Sequence, residues 1–260
     1  MSGMSSILNP VLNPLLNLNP FWVIFIVSII VSIITTLIYK YTTDQKKLKE
    51  LKKETKSCQE KLKLNSSNPE KSLQIQGEMM KLNVEYMKSS FKPMFFTIIP
   101  VLLFVGWLGA NLAFIPLQPD VPFSINVTLM ENVQAEISLI LPSELSMNDE
   151  ETKTAQINLG WQGIKGPAGQ YDLILKNEET QEEQIISVLI TEEQKYLDPL
   201  KELKSPTFKK IVVNQQKLLP FKGIVLLENI FWIGNFGWLG AYILFSLIFS
   251  TLLRKLLKIA

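Results

Sequence analysis

The stretch KSSFKPMFFTIIPVLLFVGWLGANLAF, residues 88–114, decides the fold. Its last 21 residues, 94–114, hold no Asp, Glu, Lys or Arg, close to the roughly 20 residues that cross a hydrocarbon core of about 30 Å. Residues 21–39 and 229–253 are likewise uncharged. Helices buried in soluble proteins alternate apolar with charged positions, and these do not. The reading is three transmembrane helices, 21–39, 93–114 and 229–253. What needs explaining is the Lys92-Pro93 pair at the mouth of the second run, Pro100 within it, and Met79, Met80, Met87 and Met94 upstream or at its edge.

Working outward, 47% hydrophobic residues, no histidine, one cysteine and a net charge of +2 place the chain outside the disordered and nucleic-acid-binding classes. The first run is expected to stay in the mature protein, since no Lys or Arg precedes it to form the basic region of a signal peptide. Asn19-Pro20 reads as an N-cap followed by a first-turn proline, and Trp22, Tyr39 and Tyr41 as interfacial anchors. The preceding NPVLNPLLNLNP, within segment 1–20, is too broken by proline to span and is expected at the interface.

Cations set the orientation. Residues 40–92 carry 13 lysines against 7 acidic residues, the tail 254–260 adds three cations, and 111–228 carry 10 lysines against 17 acidic residues. The positive-inside rule then puts the first hydrophilic segment and the C-terminus in the cytosol, and the N-terminus and second hydrophilic segment outside. The expectation is a multi-pass protein of the cell membrane.

The cytosolic segment 40–92 reads as an antiparallel coiled-coil hairpin. Leu48, Leu51, Thr55, Cys58 and Leu62 recur at alternating spacings of three and four; Asn68-Pro69 restarts the helix after NSSNPEK; Leu73, Met80 and Met87 recur every seven, with Val84 and Phe91 between them. Methionine can fill such a seam, or can form a soft surface that repacks around different apolar partners. In the spans, Ser28, Ser32, Thr35 and Thr36 share one face of the first helix, Asn235, Tyr242, Ser246 and Ser250 about a quarter of the third, and Thr97 with the carbonyl freed by Pro100 lies in the second. These groups suit helix–helix hydrogen bonds or a shared polar cavity.

The outer segment 115–228 differs. FSINVTL, VQAEISLIL, AQINLGW, QYDLILKN and QIISVLI alternate apolar and polar residues between turn signals, predicting an antiparallel β-sandwich of about 70 residues or slightly more, with FKKIVVNQQKLL as an added strand. Asn126-Val127-Thr128 is a glycosylation sequon. With no histidine, one cysteine, no phosphate loop and no carboxylate in any span, neither an enzyme nor an ion-coupled transporter is expected, and no cofactor or metal site.

FKPMFFTIIPVLLFVGWL (91–108) and GWLGAYILFSLIFSTLLRKLL (237–257) resemble the archaeal YidC-like membrane-protein insertases of the YidC/Oxa/Alb superfamily, relatives of the insertase subunit of the endoplasmic reticulum membrane complex. The resemblance implies an α-helical membrane protein that captures hydrophobic helices of nascent chains with a cytosolic coiled coil and passes them into the bilayer through a polar groove. It implies capture by Met79, Met80 and Met87, a groove of Ser28, Ser32, Thr35, Thr97, Pro100, Asn235, Tyr242 and Ser246, and a cationic rim of Lys40, Lys92, Arg254 and Lys255. Partners would be nascent membrane proteins and the bilayer, with ribosomes and small membrane subunits as further partners to test. A receptor or scaffold anchored by the spans, and an oligomeric channel, are the competing readings. For the opening stretch, Pro93 is expected to end the cytosolic helix and Pro100 to kink the span.

Overall fold

The computed structural model describes residues 7–131, 133–224 and 233–259. A short helix α1 (Asn9–Leu12) and a 3-10 turn (Asn13–Asn17) lead into α2 (Pro20–Thr42), 23 residues and about 35 Å long. Its start is as read from sequence: Asn19 Oδ1 accepts from the Phe21 N–H at 3.0 Å, and Pro20 occupies the first turn. Asp44 caps α3 (Gln45–Leu64) by accepting from the Lys46 and Lys47 N–H groups, and Asn68 caps α4 by accepting from that of Lys71.

Helix α4 (Pro69–Leu112) departs from expectation. Its 44 residues, about 66 Å, run unbroken through Pro93 and Pro100, so Pro93 does not end a helix. Each proline leaves one carbonyl without its helical donor, a cost of about 3 kcal/mol. A break would strand up to four N–H and four C=O groups near the apolar layer, where each costs several kcal/mol. Continuing is the cheaper course.

Between α3 and α4 the structure also corrects the seam. Leu48, Leu51 and Cys58 of α3 are buried, as read from sequence. On α4, however, Leu73 (69% exposed), Met80 (69%), Val84, Met87 (58%) and Phe91 face away, while Ile75, Met79, Leu82 and Tyr86 lose exposure and Pro93 is buried. Both sets have the three-and-four spacing of a seam. The choice follows from α4 being one rigid rod: its inward face must line up with Phe104, Trp107 and Leu108, which meet α2, because α3 follows α2 after two residues.

Helix α5 (Trp238–Leu256) begins nine residues later than the predicted third span and ends three later. Residues 233–235 form a turn and Gly237 caps the helix; residues 229–232 lie outside the described residues. The glycines at 234 and 237 favour turn over helix despite the uncharged run.

Among the described residues, three helices are thus long and apolar enough to cross a membrane. Helix α2 is central and packs on both α4 and α5. Val23, Ile24, Val27, Phe104, Trp107, Leu108, Leu112, Ala241, Tyr242 and Phe245 form the bundle core, capped by Leu12 of α1 and by Leu218 and Phe221.

The β region is a sandwich of two antiparallel sheets. Strands β1 (Phe123–Leu129), β4 (Asn158–Ile164), β7 (Leu200–Glu202) and β8 (Phe208–Asn214) form one, in the order β4-β1-β8-β7. Strands β2 (Ala135–Ile140), β3 (Thr152–Ala155), β5 (Gly169–Asn177) and β6 (Glu183–Ile190) form the other, in the order β3-β2-β5-β6. The alternate residues Phe123, Ile125, Val127 and Leu129 meet Ile137, Leu139, Leu173 and Leu175 in the shared core, around buried Trp161. FKKIVVN, read from sequence as an added strand, is β8 and pairs centrally, between β1 and β7, so the sandwich extends as far as Asn214.

Candidate functional site

Two surfaces built by the helices stand out. The first is the space between α4 and α5. The two helices approach each other at the sandwich end, where a Cβ added to Gly109 would lie 3.1 Å from the Trp238 ring. Towards the hairpin, no residue of α4 from 94 to 103 is buried, and none of α5 beyond Phe245 among the described residues, although α2 stays buried as far as Thr36. The bundle is therefore tight at one end and open at the other, with α2 as its back wall.

Behind the opening, a hydroxyl stripe is buried along α2. Ser28, Ser32 and Thr36 succeed one another at four-residue steps and are all nearly fully buried. Ser32 Oγ donates to the Ser246 carbonyl at 3.4 Å, tying α2 to α5, and half-buried Thr35 donates to the Val31 carbonyl at 2.8 Å. The Ser28 and Thr36 hydroxyls, about 12 Å apart along the helix, are buried without a hydrogen-bond partner among the described residues. A buried hydroxyl left unpaired costs about 1–3 kcal/mol.

Of the predicted groove residues, the structure brings together Ser28, Ser32, Thr35, Tyr242 and Ser246 around the α2–α5 contact. Thr97 and Pro100 are half-buried on the inward face of α4, in line with Tyr86 and Phe104, and Thr97 Oγ1 donates to the Met94 carbonyl at 3.0 Å. Asn235 is not with them: it lies in the turn ahead of α5, at the sandwich end. Among the rim cations, Lys92, Arg254 and Lys255 are exposed and Lys40 is half-buried. The Arg254 guanidinium stacks 4.7 Å from the Tyr39 ring centroid, a pairing that spacing alone does not reveal.

The second surface is the outward face of α4. Leu73, Met80, Val84, Met87, Phe91, Met94, Ile98 and Leu102 are all exposed and fall within a narrow arc at 100° per residue. From Met94 onward this face belongs to the apolar span. From Leu73 to Phe91, about 27 Å, it lies on the charged hairpin, where an outward face is normally polar. Beside it, Lys47, Gly77, Met80, Lys81, Val84, Glu85, Lys88 and Ser89 line an open groove of about 840 Å³. Lys47 Nζ pairs with Glu85 Oε1 at 2.8 Å and holds that carboxyl below its usual range, leaving Lys81 and Lys88 to give the groove a net positive charge. Met80 and Met87 of the predicted capture set lie on this surface, while Met79 turns towards α3.

No curated protein and no solved structure matches the chain. A family model, Integral membrane protein EMC3/TMCO1-like, matches residues 6–147, which takes in α2, the helical hairpin, all of α4 and the first two strands of the sandwich. That match covers more than half of the sequence, and the chain belongs to the EMC3/TMCO1-like family of integral membrane proteins.

Proposed function

We propose that this protein is a membrane-protein insertase that takes up hydrophobic helices of nascent chains on its hairpin and releases them into lipid between α4 and α5. Its family supports an insertase-type role and nascent membrane proteins as clients. The observation that carries the reading is the outward stripe of α4, whose exposed apolar side chains recur every three or four residues from Met80 on the hairpin to Leu102 in the span, with Leu73 two turns further out. A client helix docked there need never leave an apolar surface on its way to the bilayer. Partial burial of five such side chains contributes on the order of 5 kcal/mol, a sub-millimolar affinity suited to capture followed by release.

In this reading the hairpin is a cytosolic coiled coil, the sandwich is exoplasmic, and the membrane is the cell membrane. The lysine excess of residues 40–92 and the cationic tail support that orientation. The unpaired Ser28 and Thr36 hydroxyls, buried in the closed bundle, serve the second stage once an entering client parts the helices, as partners for water or for a polar client flank partway across the core. Insertion needs no covalent step.

The test is photo-crosslinking of ribosome-bound nascent chains exposing a hydrophobic segment, with probes at Met80, Met87 and Thr97 and a control at lipid-facing Leu247. Crosslinks that move from the methionines to Thr97 as the nascent chain lengthens are expected. Crosslinks only to a resident protein, at every chain length, would leave a receptor or scaffold in its place.

A further inference from the structure

The sandwich carries a feature that insertion does not use. Asn126-Val127-Thr128 lies in the middle of β1, a central strand, with the Asn126 side chain exposed on the outer face of its sheet. Its cross-strand neighbour is Gly160, where a Cβ would sit 2.8 Å from Asn126 Oδ1. The glycine therefore keeps open the space beside the amide. The side-chain hydrogen bonds on that face join neutral groups: Asn126 Nδ2 donates weakly to Asn214 Oδ1 at 3.5 Å, Asn214 to Ser124 Oγ at 2.8 Å, and Thr128 Oγ1 to Asn158 Oδ1 at 3.0 Å, with Lys210 across the strand pair from Thr128.

We propose that Asn126 is an N-glycosylation site, its amide taking a saccharide from a polyprenyl-phosphate donor. The proposal rests on the orientation given above, with the sandwich outside. In the reaction the amide nitrogen bonds to the anomeric carbon, the bond from that carbon to the phosphate oxygen breaks, the lipid phosphate departs, and the amide gives up one proton.

Chain order supplies the opportunity. In the finished fold the tripeptide is held extended between β4 and β8, so transfer belongs to the time before pairing. Both partners come later in the chain, and β8 begins only at Phe208. At about 5–20 residues per second, β1 waits roughly 4–16 s for its second partner. Once folded, the Asn126 side chain is exposed to solvent on a face that no described residue covers, so an attached sugar is accommodated.

A second sequon, Asn65-Ser66-Ser67, sits at the hairpin turn on the opposite side of the membrane. It makes the test internally controlled. The full chain is translated with membranes that contain an asparagine-linked glycosylation system and a defined lipid-linked donor, and read by gel mobility before and after an N-glycosidase. One glycan step is expected, kept in Thr128→Ser and Asn65→Gln and lost in Asn126→Gln and Thr128→Ala. Glu144→Asn, which creates a sequon ahead of Ser146 in an exposed loop, is the orientation control. If that variant gains a glycan while the wild-type chain has none, the site is refuted and the orientation stands. A step lost in Asn65→Gln, or no step in any variant, overturns the orientation and the proposal together.

Discussion

The Tyr196 hydroxyl bridges the last turn of α4, donating to the Gly109 carbonyl at 2.7 Å and accepting from the Ala113 N–H at 2.8 Å. Those two backbone groups are four residues apart, the spacing of an ordinary helical bond, and the phenol stands between them. Gln194 Nε2 donates to the Asn111 and Phe114 carbonyls close by, so a loop of the sandwich finishes a membrane helix whose terminal groups would otherwise be orphaned. Burial is the main cause pushing the Tyr196 phenol up to about 12.

Tyr196→Phe is expected to strip both bonds and lower stability by about 1–3 kcal/mol, read by denaturation of the detergent-solubilised chain. The pH dependence has a definite sign. Because the folded-state value is above the usual 10, the unfolded chain loses this proton first, and stability falls as pH rises from about 10 to 12. The phenylalanine variant should lack that component. Equal slopes in both proteins would rule out Tyr196 as its source.

The hairpin register predicts a crosslink. Cys58 and Leu82 line the same crevice between α3 and α4, whereas Met80 faces outward. Under mild oxidation, Leu82→Cys should form a disulfide with native Cys58 and Met80→Cys should not. The reverse pattern would restore the seam through Leu73, Met80 and Met87.

Charging the outward stripe separates capture from folding. Met80→Asp with Met87→Asp alters only exposed positions, so each should change stability by no more than about 0.5 kcal/mol. Client crosslinking at Thr97 should fall about tenfold or more, the equivalent of about 1.4 kcal/mol. Unchanged crosslinking with an intact fold would remove the stripe from the pathway.

For the hydroxyl wall, Ser28→Ala with Thr36→Val removes two unpaired buried groups, so the bundle should be as stable as before or more so. Insertion of clients with polar flanks should slow relative to clients without them. A loss of stability would instead show these hydroxyls to be structural partners.

How much of this was readable in advance divides along a physical line. Asn19-Pro20 and Asn68-Pro69 announced two helix starts because a cap is made within four residues of chain. FSINVTL coincided with β1 because its two-residue alternation is local. The position of β8 between β1 and β7 was not readable, since pairing joins residues some 80 positions apart. Nor was the role of Tyr196, whose partners on α4 lie more than 80 residues earlier in the chain and carry no complementary signal.

The sequence by itself determined the three apolar helices, the hairpin, the strand-rich segment and the kinship, because length, charge and period are properties of contiguous residues. Only the tertiary structure decided which of two equally spaced apolar faces of α4 turns inward, that α4 continues through Pro93, that Asn235 stands apart from Ser246, and that the bundle opens at the hairpin end. Those outcomes depend on where the partner helices lie, and a single helical period is equally satisfied by either face until a neighbour covers one of them.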